Sequence, residues 1–404
     1  MPASPRPSIA PLLIAASLGY FVDVYDLIIF SVVRTKSLID LGVPAGSTLS
    51  TGIFLLNIQI AGLLIGGPLW GVLGDKLGRR TVLFGSIVLY SLANLANAYV
   101  TSIGQYECWR LIAGIGLAGE LGAGVTLVSE VMPPARRGYG TMLIASVGLL
   151  GAVVAAECGI HLDWRDAYRV GAIMGFALLA LRIGVSESPL FSKAGAANTR
   201  GNILELLTNH SKRIRIFLCT LTGMPQYFVI GILITASPEV GVLLGLKEPP
   251  VAGVAVMASY LAMALGGVAS SVLSQQLRSR RKAIIGFHLF TGVAIAYYLF
   301  NKPESSTAFY WRCAFLGFGV GVWTVIVTNA AEQFGTNLRA TAATLVPNLI
   351  RGMLIPVTWS YHKLEPALGE IHSLALVGLV CVVLAVSAAW GMAETFGKSL
   401  DYVE

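Results

Sequence analysis

The chain has 404 residues, of which 55% are hydrophobic and only 12% are charged, and its mean hydropathy is +0.74. An ordinary soluble domain has about 25% charged residues, so this composition excludes a soluble globular protein and indicates a membrane protein. The net charge of +7 at pH 7 is therefore attributed to membrane topology and does not indicate a nucleic-acid partner.

Apolar stretches long enough to cross a bilayer recur along the whole chain. A helix needs about 20 residues to span the roughly 30 Å hydrocarbon layer, and twelve stretches of that kind are present. They cover approximately residues 11–33, 48–74, 81–101, 105–131, 138–160, 165–185, 213–236, 249–275, 282–300, 307–330, 337–360 and 371–391. Because these stretches are continuous and not alternating, they are unlike the strands of a membrane barrel. We predict an all-α protein with twelve transmembrane helices.

The distribution of Lys and Arg gives the orientation of these helices. If both termini are cytoplasmic, the inner loops and helix ends hold most of the cations, and the outer side holds about half as many. This asymmetry follows the positive-inside rule for an even number of spans. We expect a multi-pass protein of the lipid bilayer with both termini in the cytoplasm.

Several kinds of chemistry find no support in the sequence. The five cysteines fall in apolar stretches without any Cys-x-x-Cys spacing, which argues against a metal cluster and a disulfide framework. No segment matches Gly-x4-Gly-Lys-Ser/Thr, the phosphate-binding loop of ATP-driven proteins. No nucleophile and base stand out as a catalytic arrangement. We expect no enzymatic activity, no cofactor, no metal and no nucleic-acid partner.

The two halves of the chain repeat the same pattern of charged and aromatic residues 202 positions apart. The pairs are Trp109 and Trp311, Arg110 and Arg312, Glu130 and Glu332, Arg137 and Arg339, Arg79 and Arg281, Arg80 and Lys282, and Tyr25 and Tyr227. So many matches in a chain with few charges indicate two copies of a six-helix unit, inserted in the same sense. We place an N-terminal bundle at residues 1–191, a cytoplasmic linker with a short amphipathic helix at 192–212, and a C-terminal bundle at 213–404.

The segment GVLGDKLGRR, residues 71–80, concentrates charge between the second and third apolar stretches. Asp75 can accept hydrogen bonds from a neighbouring helix terminus, and the cations can pair with an acid such as Glu130. Contacts of this kind can form in one arrangement of the two halves and break in the other, although the cations could also serve topology alone. The candidate conformational latch comprises Asp75, Arg79, Arg80, Glu130, Arg137, Glu332 and Arg339. Leu277 replaces Asp75 in the second copy, so we expect an asymmetric latch.

GVLGDKLGRR closely resembles the loop between spans two and three of the major facilitator superfamily, and the resemblance covers essentially the whole chain. Within that superfamily the chain is most similar to the metabolite:H+ symporters, with aromatic-acid symporters and sugar porters more distant. Residues 23–27, 114–122, 187–189, 332–339 and 394–395 carry this narrower resemblance. It implies two bundles that expose a central site to each side in turn. Arg351 departs from the pattern, because the symporters tend to have a small residue there, so their substrate does not transfer.

Four ionisable residues lie inside the predicted helices, where a charge costs at least about 2.5–3.5 kcal/mol on insertion scales. Asp23 and Asp26 are three positions apart near the middle of the first helix and share one face. Glu120 and Arg351 lie about 15 and 18 Å from the cytoplasmic ends of the fourth and eleventh helices. We predict that all four converge on a central cavity. Polar residues that could line it, or form ordinary interhelical hydrogen bonds, are Gln59, Gln226, Tyr227 and Asn348.

Three of the four ionisable residues also have a structural alternative. Asp23 could pair with Arg110 or Arg34 at the outer rim. Glu120 could be held by backbone donors in a Gly-rich helix contact. Arg351 could neutralise one of the acids instead of binding a solute.

The sequence predicts that proton coupling resides in the acid pair of the first helix. Burial and a nearby like charge both favour the neutral form of a carboxyl, and a proton site must fill and empty near the working pH. Asp26 matches the acid-x-Tyr-Asp stretch of the symporters and is the first choice, with a weaker role for Asp23. Glu120 is the rival.

Together these features favour a secondary active transporter of the bacterial inner membrane. It would act as a monomer and move a small organic solute, an anionic metabolite, with H+. One alternative is an H+-driven exporter of cationic or neutral compounds or metal ions, which the acidic residues favour and Arg351 disfavours. The other is a membrane sensor that binds solute without transporting it.

Overall fold

The computed structural model describes residues 9–132, 137–182, 208–335 and 338–398, with no account of the side chains of 9–12, 79, 127–131, 137 and 340. The described residues form helices joined by turns and short loops, and no β-strand occurs among them. All twelve predicted stretches are largely helical over their described residues, which confirms the all-α prediction. We number them as spans 1 to 12.

The N-terminal half contributes spans 1 to 6. Span 1 is Ile9–Asp40, span 2 is Thr48–Leu77, span 3 is Arg79–Asn97, span 4 is Ile103–Leu117 with Glu120–Val131, span 5 is Arg137–His161 and span 6 is Trp164–Leu181. A short 3-10 turn, Ala45–Ser47, precedes span 2.

The C-terminal half contributes spans 7 to 12. Span 7 comprises His210–Thr222, Met224–Phe228 and the π-helical Val229–Ile234, and the short helix Ser237–Leu243 follows it. Span 8 is Ala252–Gln276, span 9 is Arg280–Phe300 and span 10 is Ser306–Val320 with Trp323–Glu332. Span 11 is Arg339–Gly352 with Leu354–Leu368, and span 12 is Glu370–Gly391. Span 7 thus takes up the last residues of the predicted linker, while residues 192–207 of that linker lie outside the described residues. The bundle boundaries stay a prediction.

Nine helices of the described chain are long and apolar enough to cross a membrane, judged by length and composition. The other three predicted spans are spans 3, 6 and 11. Spans 3 and 6 have only 19 and 18 residues and carry charges in their first turns, and span 11 is interrupted at Met353 and buries Arg351. The charges of spans 3 and 6 include Arg80 and Asp166, which are exposed at the helix ends, whereas Arg351 of span 11 faces the protein interior.

Side-chain caps fix where several helices begin. The side chain accepts a hydrogen bond from a backbone N–H of the first helical turn at Ser102, Asp163, Asn209, Ser279 and Ser305. Such caps satisfy N–H groups that the first turn leaves without a helical partner. In an apolar chain these capping residues mark the loops that precede the helices.

The two halves meet along two pairs of helices, spans 5 and 8 and spans 2 and 11. We call the end of the molecule at which spans 1 and 3 finish the outer end, in keeping with the predicted orientation, and the opposite end the inner end. A cavity of about 160 Å³ separates the halves toward the outer end, and its walls include Arg34, Ile53, Thr235, Glu239, Leu354 and Tyr361. Toward the inner end, spans 2 and 11 are in direct contact.

Candidate functional site

A buried ion pair joins the two halves at the centre of the molecule. Asp23 of span 1 and Arg351 of span 11 are 0% and 2% exposed in their side chains, and Nη2 of Arg351 lies 3.5 Å from Oδ2 of Asp23. Arg351 also donates from Nε to the hydroxyl of Tyr227 at 3.1 Å and from Nη1 to Oδ1 of Asn348 at 3.2 Å. The structure therefore brings together four of the predicted site residues around one guanidinium group.

The hydrogen bonding of this ion pair is incomplete. The contact between Asp23 and Arg351 is single and long, and Oδ1 of Asp23 has no hydrogen-bond partner among the described residues. A buried ion pair offsets the cost of removing both charges from water only when its geometry is good and its remaining polar atoms are satisfied. Because the contact is weak, the guanidinium group of Arg351 is suited to exchange Asp23 for another carboxylate.

Aromatic side chains from both halves surround the same point. Nε1 of Trp323 donates to the hydroxyl of Tyr20 at 3.0 Å, and the rings of Tyr227 and Trp323 meet edge to face with their centroids 6.2 Å apart. Gln226, next to Tyr227, has its Oε1 without a partner in the described structure. These groups provide apolar ring faces and polar tips beside Arg351. Tyr20 was not singled out from the sequence, although it lies one turn before Asp23.

Asp26 faces away from the central ion pair, into the N-terminal bundle. Its side chain lies beside Asn94 of span 3 and packs against Gly171 of span 6, where an added Cβ would come within 2.6 Å of Oδ1. Neither carboxylate oxygen of Asp26 has a hydrogen-bond partner among the described residues. Asp23 and Asp26 share one helix face in part only, because three residues turn a helix by about 300° and leave them about 60° apart.

Glu120 forms a second buried ion pair, with Arg182 at the end of span 6. Both side chains are 1% exposed, Nη1 of Arg182 lies 3.0 Å from Oε2, and Nη2 contacts Oε1. Arg182 also donates to the carbonyl of Ala15, and Gly19 of span 1 makes room for the pair, because a Cβ there would collide with both groups.

The prediction of one cavity for all four ionisable residues is therefore corrected: Asp23 and Arg351 meet, whereas Asp26 and Glu120 lie inside the N-terminal bundle.

The arginines considered as alternative partners of Asp23 are engaged elsewhere. Arg110 donates to Oε1 of Gln59, so Gln59 lies in an N-terminal network and not beside Arg351. Arg34 pairs with Glu239 at 2.6 Å across the outer cavity, between span 1 and the short helix Ser237–Leu243. Of the two roles considered for Arg351, binding a solute or neutralising an acid, the structure shows an ion pair with an acid, and that acid is Asp23.

Asp75 of the inner end links span 2 to span 11. Its Oδ2 accepts hydrogen bonds from the backbone N–H of Thr341 at 2.9 Å and from the Thr341 hydroxyl at 2.5 Å. Thr341 lies in the first turn of the helix Arg339–Gly352, where backbone N–H groups and the helix dipole favour a negative charge. This is the kind of contact expected from the sequence for a carboxylate at this position.

The other candidate latch residues are only partly accounted for. Glu332 accepts hydrogen bonds from Nε and Nη2 of Arg280 at 3.2 and 3.1 Å, and from the Thr395 hydroxyl. Arg80 lies over the ring of Phe84, and Arg339 is fully buried. The side chains of Arg79, Glu130 and Arg137 lie outside the described part of the structure. Their roles stay predictions.

Glu394, beyond span 12, caps the inner end of span 9. It accepts hydrogen bonds from the Ser279 hydroxyl and from the backbone N–H groups of Arg280 and Arg281. Partial burial acts to raise the pKa of Glu394, but these hydrogen bonds outweigh it and lower the pKa below its usual value. The cap by Glu394 therefore stabilises the fold at pH values above the ordinary pKa of a glutamate. This contribution to stability is lost as the pH falls through the lowered pKa of Glu394 in the folded protein.

Comparison with known proteins identifies transporters along the whole chain. A family model described as Major Facilitator Superfamily matches residues 8–354. The chain is 27% identical to a putative metabolite transport protein of Haemophilus influenzae, over 96% of this chain and 97% of that protein. It is 26% identical to the niacin transporter NiaP of Acinetobacter baylyi, over 97% and 95%. It is 25% identical to the 3-(3-hydroxy-phenyl)propionate transporter of Escherichia coli, over 71% of each.

Solved structures of xylose transporters share the fold. The partially occluded, inward-open xylose transporter XylE from Escherichia coli superposes with a TM-score of 0.74 at 18% identity, over 97% of this chain and 99% of that one. The proton:xylose symporter XylE bound to 6-bromo-6-deoxy-D-glucose gives a TM-score of 0.70, also at 18% identity, over 97% of each chain. At this identity the likeness concerns the fold alone.

Proposed function

The chain belongs to the Major Facilitator Superfamily and is a multi-pass transporter of small metabolites, and on this premise we propose that its solute is an anion that crosses the membrane together with H+. The transport would follow alternating access, in which the two halves expose the central site to each side in turn. We further propose a monomer in the bacterial inner membrane with both termini in the cytoplasm.

The observation that carries the proposal is the ion pair between Asp23 and Arg351. A solute carboxylate can replace Asp23 on the guanidinium group, where it gains a charge-assisted and potentially bidentate contact. Asp23 then loses its counter-charge and lies one helical turn from Asp26, so two like charges lie near each other in an apolar interior. Binding one proton relieves their repulsion. One anion and one proton enter together, and the net charge of the site is unchanged.

The rings beside Arg351 support an aromatic or cyclic acid as the solute. Tyr20, Tyr227 and Trp323 present apolar faces and edges within the same site, and such faces stack against planar rings. Two of the relatives are named for the transport of niacin and of 3-(3-hydroxy-phenyl)propionate. Both compounds combine a ring with a carboxylate, which is the combination that this site offers to bind.

An exporter of cationic or neutral compounds is the second candidate. The outer cavity is lined by Glu239, Glu365 and Glu370 as well as by Arg34, and this excess of acids favours a cation on its way through. No cluster of three or more potential metal ligands occurs among the described residues. The two candidates differ in the charge of the solute that the central arginine would accept.

A panel of labelled solutes in proteoliposomes tests the proposal. We expect niacin or 3-(3-hydroxyphenyl)propionate to accumulate when the outside is acidic and not when the pH is equal on both sides. Arabinose, proline and betaine, named for more distant relatives, serve as neutral and zwitterionic controls. Preferential uptake of these controls would contradict an anionic solute. A sensor would bind a labelled solute without any uptake.

The contact at the inner end leads to a prediction for Asp75→Asn. The amide keeps one acceptor for the Thr341 hydrogen bonds but removes the charge that favours the helix terminus, so the contact weakens by about 1 kcal/mol. Because only the equilibrium between the two arrangements changes, turnover should fall several-fold while solute binding stays nearly the same. Uptake rates and equilibrium binding of labelled niacin measure the two quantities separately. Unchanged turnover would show that Asp75 is not a latch.

A further inference from the structure

We infer that protons reach Asp26 along a file of buried polar side chains inside the N-terminal bundle, separate from the path of the solute between the halves. We call Ser91, Asn94 and Asn97 of span 3, together with Asp26 of span 1, the polar file. The inference rests on the proposed H+ coupling, and on the orientation that places the end of span 3 outside. It adds a route for the proton that the central site does not provide.

The polar file consists of groups that are buried and lack partners. Asp26 is 1% exposed, and Ser91, Asn94 and Asn97 are equally buried. Both oxygens of Asp26, Oγ of Ser91, Nδ2 of Asn94 and both amide atoms of Asn97 have no hydrogen-bond partner among the described residues. Buried polar groups are normally satisfied by protein or by ordered water. Apart from the Asn94 amide, which lies beside the Asp26 carboxylate, these atoms have no protein partner in the described structure, so water is the group that would satisfy them.

The file runs along one side of span 3 from its outer end. Asn94 and Asn97 share a helix face with Tyr90, whose hydroxyl and that of Ser86 also lack partners in the described structure. The positions from 86 to 97 cover about 16 Å of helix, roughly half of the hydrocarbon layer. Asn97 is the last residue of span 3, and the loop that follows is exposed at Tyr99. The file thus begins directly beneath an exposed loop.

Glycines of span 6 hold the file against its neighbours. A Cβ on Gly171 would come within 2.6 Å of Oδ1 of Asp26, and a Cβ on Gly175 would collide with Oγ of Ser91. Spans 1, 3 and 6 therefore enclose these polar groups closely. The cavity at the outer end lies between the halves, and apart from Arg34 of span 1 it is lined by spans 2, 7, 11 and 12 and the short helix Ser237–Leu243. The two routes are separate in the structure.

The second copy of the repeat has apolar residues at the counterparts of the polar file. Spans 9 and 12 contact each other as spans 3 and 6 do. Under the offset of 202 residues, the counterparts of Asp26, Ser91, Asn94 and Asn97 are Phe228, Val293, Ala296 and Leu299. Phe228 and Leu299 are buried in the core, whereas Val293 is 64% exposed and Ala296 is also exposed. A bundle of this fold therefore does not need a polar residue to fill the buried positions of Asp26 and Asn97.

The chemistry is a relay of protons between oxygen atoms. A hydronium ion at Asn97 passes its proton along water held by the Asn94 amide and the Ser91 hydroxyl, and the Asp26 carboxylate takes the proton and leaves water. Only O–H bonds form and break. The titratable groups that face Asp26 are Asp23 and Tyr25 of span 1, Tyr90 of span 3 and Tyr168 of span 6. Asp23 connects the file to the central site.

The test replaces the span 3 residues of the polar file with their counterparts from span 9 of the C-terminal bundle. A triple variant, Ser91→Val, Asn94→Ala and Asn97→Leu, replaces the file with the apolar residues of the C-terminal bundle. Ser373→Ala is the matched control, because Ser373 is a buried hydroxyl of span 12 that also lacks a partner among the described residues. Infrared spectra of the full chain in lipid nanodiscs are followed after a jump from about pH 8 to about pH 5.

We expect the wild type and Ser373→Ala to gain a carboxylic-acid band that is missing in Asp26→Asn. In the triple variant this band should form more slowly, on the order of tenfold or more. Formation of the band at the wild-type rate in the triple variant would overturn the inference, and so would the absence of any Asp26-dependent band in the wild type.

Transport measurements separate this inference from the proposed function. With labelled niacin, the triple variant should retain counterflow at equal pH and lose accumulation driven by a pH gradient, and the retained counterflow shows that it is folded. If the wild type fails to accumulate anions with H+, the proposed function fails, and the infrared result still decides whether the file conducts protons. If the wild type accumulates anions with H+ and the triple variant accumulates them equally well, the polar file is rejected and the proposed function stands.

Discussion

Arg351→Ala should abolish transport of anionic solutes, and Arg351→Lys should retain only a small part of it. The guanidinium group is the one cation placed between the halves at the central site of the described structure, and a hydrogen bond to a charged group contributes about 1.5–3 kcal/mol. Losing the bidentate fork should therefore raise KM by roughly 10-fold to 100-fold in the lysine variant. Initial rates of niacin uptake at fixed pH measure this effect.

A double variant controls for the unpaired acid that Arg351→Ala leaves behind. Removing one member of a buried ion pair costs about 3–5 kcal/mol, so the single variant could lose activity through instability of the fold. The double variant Arg351→Gln with Asp23→Asn removes both charges and should regain thermal stability without regaining anion transport. Normal niacin transport by this double variant would show that the solute does not bind Arg351, and the exporter would become the better candidate.

Asp26→Asn should abolish accumulation driven by a pH gradient while gradient-independent counterflow of labelled solute continues. Without the carboxylate, the acid pair of span 1 can no longer take up the proton that accompanies the anion, but Arg351 still binds the solute. Asp23→Asn should give a weaker version, because it removes the like charge that promotes proton binding at Asp26. The two assays on the same vesicles, with and without a pH gradient, measure coupling and exchange separately.

Glu120→Gln distinguishes coupling from structural support. It leaves Arg182 buried without its acid, so we expect a loss of stability of about 3–5 kcal/mol and a lower melting temperature, with coupling retained in the protein that remains folded. If Glu120→Gln instead gave stable, uncoupled protein while both aspartate variants still accumulated solute, the assignment of the proton to span 1 would be wrong.

The sequence predicts the helices well because membrane insertion imposes a simple rule on length and composition. A run of about 20 apolar residues is sufficient to identify a span, and the repeat of charged residues indicates two bundles. Interruptions within spans 4 and 10 were not expected. These interruptions lie at short Gly-containing segments near Gly119 and Gly321, at equivalent positions of the two copies. A break inside an apolar run leaves the hydropathy of the run unchanged, so hydropathy does not reveal it.

The partners of the buried charges depend on how the helices pack, and the sequence does not reveal them. Arg182 lies near the end of the apolar stretch 165–185, where a cation is expected to contribute to topology, whereas it forms a buried ion pair with Glu120. Asp23 and Asp26 lie only about 60° apart on span 1, yet that angle directs one toward the other half and one into its own bundle. Periodicity gives the face of a helix, and only the fold supplies what that face contacts.

The polar residues of span 3 were missed for a different reason. Asn94 and Asn97 are each unremarkable in a membrane helix, where interhelical hydrogen bonds are common. Comparison with Leu299, the buried counterpart of Asn97 202 positions later, indicates that packing does not require a polar residue at that position.

The most direct test of H+ coupling is the simultaneous measurement of solute and proton entry into proteoliposomes that contain the wild-type protein. Labelled niacin and a pH-sensitive dye trapped in the lumen report the two fluxes while an inward proton gradient is imposed. Anion symport predicts that the lumen acidifies by one proton for each niacin molecule taken up, with no dependence on membrane potential because no net charge crosses. Niacin accumulation without acidification of the lumen, or with a rise in its pH, would contradict it.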